Sequence, residues 1–137
     1  MNELLGAFEI SATGLRAQRV RMDILANNIA NANTTRTEEG GPFRRQLIVL
    51  LGRNISRDFR SGGVEIAGVE DDPSPFKMIY DPGHPDADAR GYVSMPNIQI
   101  PIEMVDMIAA SRAYEANVAA ISAAKAMANR ALDILSE

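Results

Sequence analysis

Cysteine is absent from this chain of 137 residues. That excludes disulfides and thiolate metal sites, and fits both a cytosolic protein and one exported without oxidation. Histidine occurs once, at His84, so paired imidazoles for a metal or a proton relay are not available. No uninterrupted apolar run approaches the roughly 20 residues that cross a bilayer. The first residues, interrupted by Glu3 and Glu9, lack the basic stretch and apolar core of a cleaved secretory signal, so any passage out of the cytoplasm is expected to use another route. A basic excess is also missing, since the formal net charge is -4. From Glu65 to Asp106 the acids Glu65, Glu70, Asp71, Asp72, Asp81, Asp86, Asp88, Glu103 and Asp106 stand against only Lys77 and Arg90. Such a face repels phosphate backbones, and the basic cluster Arg53, Arg57 and Arg60 has only Phe59 for stacking. No nucleic-acid partner is expected.

What the sequence has in quantity is apolar residues at helical spacing. Met107, Tyr114, Ile121, Ala128 and Leu135 recur every seven residues, with Met104, Val118 and Leu132 beside them, which draws one stripe along a helix from Met104 to Leu135. Pro101 lies near the expected start, where a missing N–H is harmless, and Glu103 and Asp106 lie in the first turns, where the helix dipole favours acids. At the other end of the chain Met1, Phe8, Leu15, Met22 and Ile29 also repeat every seven residues, flanked by Leu4, Leu5, Ala12 and Leu25. They predict a helix from about Asn2 to Ala32, weakened at Gly6 and Gly14. Two such helices pair in a coiled-coil-like core, because seven-residue spacing keeps the seam facing its partner. Val105, Ile108, Ala109, Ala116 and Ala123 fall outside the main stripe. A single partner helix would leave them in water, so neighbours from other chains are expected.

The first helix closes in the run Ala26-Asn27-Asn28-Ile29-Ala30-Asn31-Ala32-Asn33-Thr34-Thr35-Arg36. Asn terminates helices and carries both a donor and an acceptor. The run reads either as a frayed, solvated end or as a place where Asn27, Asn28 and Asn31 make interhelical hydrogen bonds that fix register.

Between the helices, strands are expected over Phe43 to Leu51, from Val64 through Ile66 and Val69 to an end at Asp71-Asp72-Pro73, through Phe76, Met78 and Tyr80, and from Tyr92 to Met95, with Gly52 to Gly63 as a loop. They would form one small antiparallel sheet resting on a helix or on a neighbouring subunit, since a lone hairpin is marginal. The fold class is therefore α+β: long N- and C-terminal helices in a coiled-coil-like core with a small antiparallel β insertion. The division is 1–33 for the N-terminal core helix, 34–97 for the linker and insertion, and 98–137 for the C-terminal core helix.

His84 sits in Tyr80-Asp81-Pro82-Gly83-His84-Pro85-Asp86-Ala87-Asp88. The acids there match no EF-hand spacing, and Pro82, Gly83 and Pro85 are turn formers. Tyr80 to Pro85 is read as a rigid interaction loop, with a metal or hydrolytic centre on His84 as the rival. No serine-histidine-acid constellation and no phosphate-binding glycine loop can be assembled, so no catalytic residue, cofactor or metal is expected.

The Asn-rich run resembles the N-terminal signature of the bacterial flagellar rod and hook family of axial proteins. The stretches Gly91-Tyr92-Val93-Ser94-Met95-Pro96-Asn97, Glu103-Met104-Val105-Asp106-Met107-Ile108 and Ser111-Arg112-Ala113-Tyr114-Glu115-Ala116-Asn117, with the His84 loop, extend the resemblance over most of the chain. It implies a structural subunit of the flagellar basal-body rod that polymerises through its terminal helices, transmits torque and encloses the export channel. It further implies a periplasmic rod location, type III export without a cleaved signal, and terminal regions that order on incorporation. The implied partners are other rod proteins, its own copies, and ring and export-gate components at the rod base. On this reading the assembly interface comprises Leu5, Phe8, Leu15, Met22, Asn27, Asn28, Ile29, Asn31, Met104, Met107, Tyr114, Val118, Ile121, Leu132 and Leu135. A soluble helical adaptor using the same stripes is the alternative.

Overall fold

The computed structural model describes residues 2–54 and 62–136, and within these the side chains of residues 6–52 and 62–134. Helix α1 spans Asn2–Ala30 and helix α2 spans Ile100–Ser136, with strands β1 (Gln46–Asn54), β2 (Gly62–Asp71), β3 (Lys77–Tyr80) and β4 (Tyr92–Met95) between them. The chain is α+β, and α1 packs along α2.

Two contacts give the helix register. Asn28 of α1 hydrogen-bonds Glu103 of α2 at 2.9 Å, and Gly14 lies against Asn117, whose Oδ1 would stand 2.9 Å from a Cβ added at Gly14. Moving fourteen residues toward the start of α1 therefore moves fourteen toward the end of α2. The helices are antiparallel and stay in register over about 21 Å, at 1.5 Å per residue. The seam follows the heptad Glu103, Ala110, Asn117 and Ala124 on α2, against Ser11, Gly14, Ala17, Ile24, Leu25 and Asn28 on α1. Small side chains dominate it, which lets the backbones approach closely.

The hairpin β1–β2 lies on α1, where the Thr13 hydroxyl accepts the Val64 amide at 3.1 Å and donates to the Ile10 carbonyl at 2.7 Å. Its pairing shifts between Val49 and Leu50, a bulge that accommodates the extra residue of β2. The strand expected from Phe43 begins instead at Gln46, because the preceding amides are committed elsewhere. Phe43 N–H donates to the Thr34 carbonyl at 3.0 Å and Arg45 N–H to Asn97 Oδ1 at 2.9 Å. The loop expected from Gly52 to Gly63 is narrower, since Gly52, Arg53 and Asn54 pair with Val64, Gly63 and Gly62.

The strands do not merge into one sheet. Pro73 and Pro75 fall between β2 and β3, where missing amides and fixed φ interrupt pairing, and β3–β4 forms a second two-stranded sheet. Among the described residues no other element makes close backbone contact with it. Lys77 Nζ ties it to the start of α2 by donating to the Ile98 carbonyl.

Candidate assembly interface

A buried polar knot fastens the insertion to the inner end of the helix pair. Asn28 is fully buried and behaves like a length of β-strand. Its Nδ2 donates to the Gln46 carbonyl and its Oδ1 accepts the Gln46 amide, each at 2.9 Å. The remaining Nδ2 hydrogen reaches Glu103 Oε2 at 2.9 Å. Both donors of this amide and one lone pair of its oxygen hold β1 and α2 to α1.

Glu103 is also 0% exposed, and Arg45 neutralises it through Nε to Oε1 at 2.6 Å. The same guanidinium reaches Asp72 at 3.3 Å and Asp106 at 3.8 Å, and Asp106 lies 3.9 Å from Arg21. Burial alone would lower the Arg45 pKa, but the hydrogen bonds and charges of Glu103 and Asp72 outweigh it and raise the pKa above its ordinary value. The Ser74 hydroxyl and amide, with Arg45, hold the Asp72 carboxyl below the usual carboxylate range. Asn97 completes the knot, donating from Nδ2 to the carbonyls of Asp72 and Ser74 at 3.2 and 3.1 Å.

The three asparagines of the run thus part company. Asn28 bonds across to α2, whereas Asn27 donates to Gln46 Oε1 at 3.1 Å and Asn31 donates back to the Asn27 carbonyl and Oδ1 at 2.9 Å. Neither Asn27 nor Asn31 spans the helices within the chain. α1 itself stops at Ala30, two residues before the expected end, and turns through Asn33.

The anticipated interface residues separate by exposure. Phe8, Leu15, Met22 and Ile29 on α1, and Met107, Tyr114 and Ile121 on α2, are half-buried beside the seam rather than in it. Met104, Val118 and Leu132 are exposed, as are Val105 and Ile108. The side chains of Leu4, Leu5, Arg53 and Leu135 lie outside the described residues, as do Met1, Arg57, Phe59 and Arg60. Read from the sequence, Arg45 has no role, Asp72 is only one of a run of acids that ends a strand, Asn97 only part of a family stretch, and Glu103 a dipole acid. The one available signal was charge set against the onset of an apolar strand.

The loop from Tyr80 to Pro85 is held by backbone turns. Asp81 N–H donates to the Gly91 carbonyl at 2.9 Å and His84 N–H to the Asp81 carbonyl at 3.2 Å. His84 Nδ1 accepts the Asp86 amide at 3.0 Å, so that nitrogen serves the turn. Asp86 is stapled to the linker after α1 by the Thr35 hydroxyl at 2.8 Å and Arg36 Nε at 3.5 Å. Gly91 closes the loop at φ +82°, and a Cβ there would stand 2.9 Å from the Tyr80 ring, so both backbone and space favour glycine. Among the described residues no three His, Asp or Glu side chains are grouped to hold a metal ion, and no helix is long and apolar enough to cross a membrane.

Comparison with known proteins falls on the same elements. Residues 8–36, covering most of α1 and the Asn run, match the family described as flagella basal body rod protein. Residues 89–134, covering β4 and most of α2, match the flagellar basal body rod FlgEFG protein C-terminal family. The chain is 45% identical to flagellar basal-body rod protein FlgC of Borreliella burgdorferi, over 96% of this chain and 97% of that one. It is 41% identical to FlgC of Bacillus subtilis, over 93% and 95% of the two chains, and 39% identical to FlgC of Escherichia coli O157:H7, over 96% and 97%.

Proposed function

Because the chain belongs to the FlgC family of flagellar basal-body rod proteins and is a structural subunit of that rod, we propose that it polymerises through the uncovered face of α2. The observation that carries this reading is the apolar surface the single chain leaves in water. Met104, Val105, Ile108, Val118, Met127 and Leu132 are all exposed on α2, although the helix already has α1 as a partner. Exposed apolar patches of this extent mark contact surfaces.

On this reading the paired helices, drawn from segments 1–33 and 98–137, form the wall of a tube that passes torque and encloses the export channel. The insertion, 34–97, makes side contacts, with the loop at Tyr80, Asp81, Pro82, Gly83, His84 and Pro85 among them. The neighbours are its own copies, other rod proteins, and ring and export-gate components at the rod base. The subunit lies in the periplasmic rod, having left the cytoplasm by the flagellar export route without signal cleavage. The function is mechanical, so the chain needs no reacting group.

The helix pair is anchored at its inner end by the knot, and its outer ends order on incorporation. Circular dichroism with analytical ultracentrifugation, on the chain alone and mixed with candidate rod partners, tests this. A monomer with less helix than the 29 and 37 residues of α1 and α2, gaining helix on mixing, is the expected result. A fully helical monomer unchanged by any partner would favour an adaptor instead.

A further inference from the structure

We propose that the hollow between α1, β1 and the start of α2 receives the far end of α2 from a neighbouring copy of this chain, with Ile134 as the inserted side chain. The inference rests on the rod reading and names one contact within it. The hollow measures about 240 Å³, and its apolar wall is Ile24, Leu25, Leu47, Ile48 and Leu50. An apolar cavity of about 150 Å³ already takes up a benzene-sized group, so this one has room for a branched aliphatic side chain. Its polar end holds Arg21, Arg45 and Asp106. Arg45 is committed to Glu103 at 2.6 Å. Arg21 and Asp106 stand 3.9 Å apart, beyond hydrogen-bond length, so each keeps the capacity for a second partner.

The far end of α2 has the matching chemistry. Ile134 is 76% exposed, more than any other large apolar side chain among the described residues, and Met127 is 53% exposed. These two lie about eight and six turns beyond Val105, on the same uncovered face of the helix. Arg130, exposed and four residues before Ile134, shares that face. The last turn of α2 carries no basic residue, so its terminal carbonyls present the negative pole of the helix without a side-chain cation. Both signs of charge at the polar end of the hollow are thereby answered. The carbonyl end of the incoming helix meets Arg21, Arg130 meets Asp106, and Ile134 enters the aliphatic wall.

Geometry requires that helix end to come from another copy. Asn28 and Gly14 stand against Glu103 and Asn117, which puts Ile24 level with Met107. Ile134 is 27 residues further along the continuous helix α2, about 40 Å away. An unbroken helix cannot bring its own end back to its start. A knob at one end of a subunit meeting a hollow at the other is a heterologous contact, the kind that propagates along a filament or ring.

The native absence of cysteine gives the test a clean background. Chains bearing Ile134→Cys and Leu47→Cys are co-expressed in the native host, and the purified basal bodies are oxidised. A disulfide-linked pair of chains is expected. Adding Arg21→Glu to the chain with Leu47→Cys should lower its yield roughly tenfold, because a like charge then faces the carbonyl end. Incorporation of both chains without a cross-link, a yield unchanged by Arg21→Glu, or coupling of position 134 to a different protein would each overturn the inference. If a variant is not incorporated, hydroxyl-radical footprinting of wild-type basal bodies decides. Protection of both Leu47 and Ile134 relative to the dissociated chain supports the contact, and full reactivity at either overturns it. Absence of the wild-type chain from basal bodies would instead defeat the rod reading itself.

Discussion

Arg45→Met is expected to destabilise the folded chain by about 3–5 kcal/mol, the range for removing one partner of a buried ion pair. The reason is Glu103, which is 0% exposed and would retain only the Asn28 amide as a partner. Asp72 still has the Ser74 hydroxyl and amide, and Asp106 still has Arg21, so the loss concentrates on one buried carboxylate. The double variant Arg45→Met, Glu103→Leu should recover only part of the stability, because it removes the desolvated charge with its partner but leaves the buried Asn28 Nδ2–H without its Glu103 acceptor, a loss of about 1–3 kcal/mol. Urea unfolding followed by far-ultraviolet circular dichroism measures both variants. A loss below about 1 kcal/mol for Arg45→Met, the level of an exposed ion pair, would show that the knot does not fasten the insertion to the helices.

The second large effect is on assembly rather than folding. Ile108→Asp and Val105→Asp should abolish incorporation and swimming while changing the stability of the isolated chain by no more than about 0.5 kcal/mol, as exposed substitutions do. Val105 is 65% exposed and Ile108 56%, so an aspartate at either position remains solvated in the isolated chain. Each forfeits roughly 1.5–3 kcal/mol of side-chain burial at every subunit contact, and adds a charge to be desolvated. Tyr114→Asp and Ile121→Asp should also stop assembly. Those residues are half-buried beside the seam, so the same substitutions there weaken the chain itself and separate the two effects less well. Motility assays paired with urea unfolding of the purified variants distinguish the cases.

The difference between the two stripes shows what was legible in the sequence. Seven-residue spacing gave two long helices and their pairing, and Gly91 and Pro96 bracketed β4 at the bounds the structure has. The seam itself was not legible, because it is made of Gly14, Ala17, Ala110, Asn117 and Ala124. A reading by large apolar residues passes over these and settles on flanking Leu15, Met22, Met107 and Tyr114. The knot was hidden for another reason. Asn28, Arg45, Asp72, Asn97 and Glu103 come from five places in the chain, each with an adequate local explanation, and only the topology joins them. In the loop, Pro82, Gly83 and Pro85 disclosed the turn, whereas the staple from Asp86 to Thr35 spans 51 residues and leaves no local trace.

The central claim is that the exposed face of α2 is covered by neighbouring subunits in the rod. The most direct measurement uses Ile108→Cys as the sole cysteine of the chain, labelled with a charged maleimide first in intact purified basal bodies and then after their dissociation. The account predicts little labelling in the intact structure and full labelling once the subunits separate. Equal labelling in both states would contradict it.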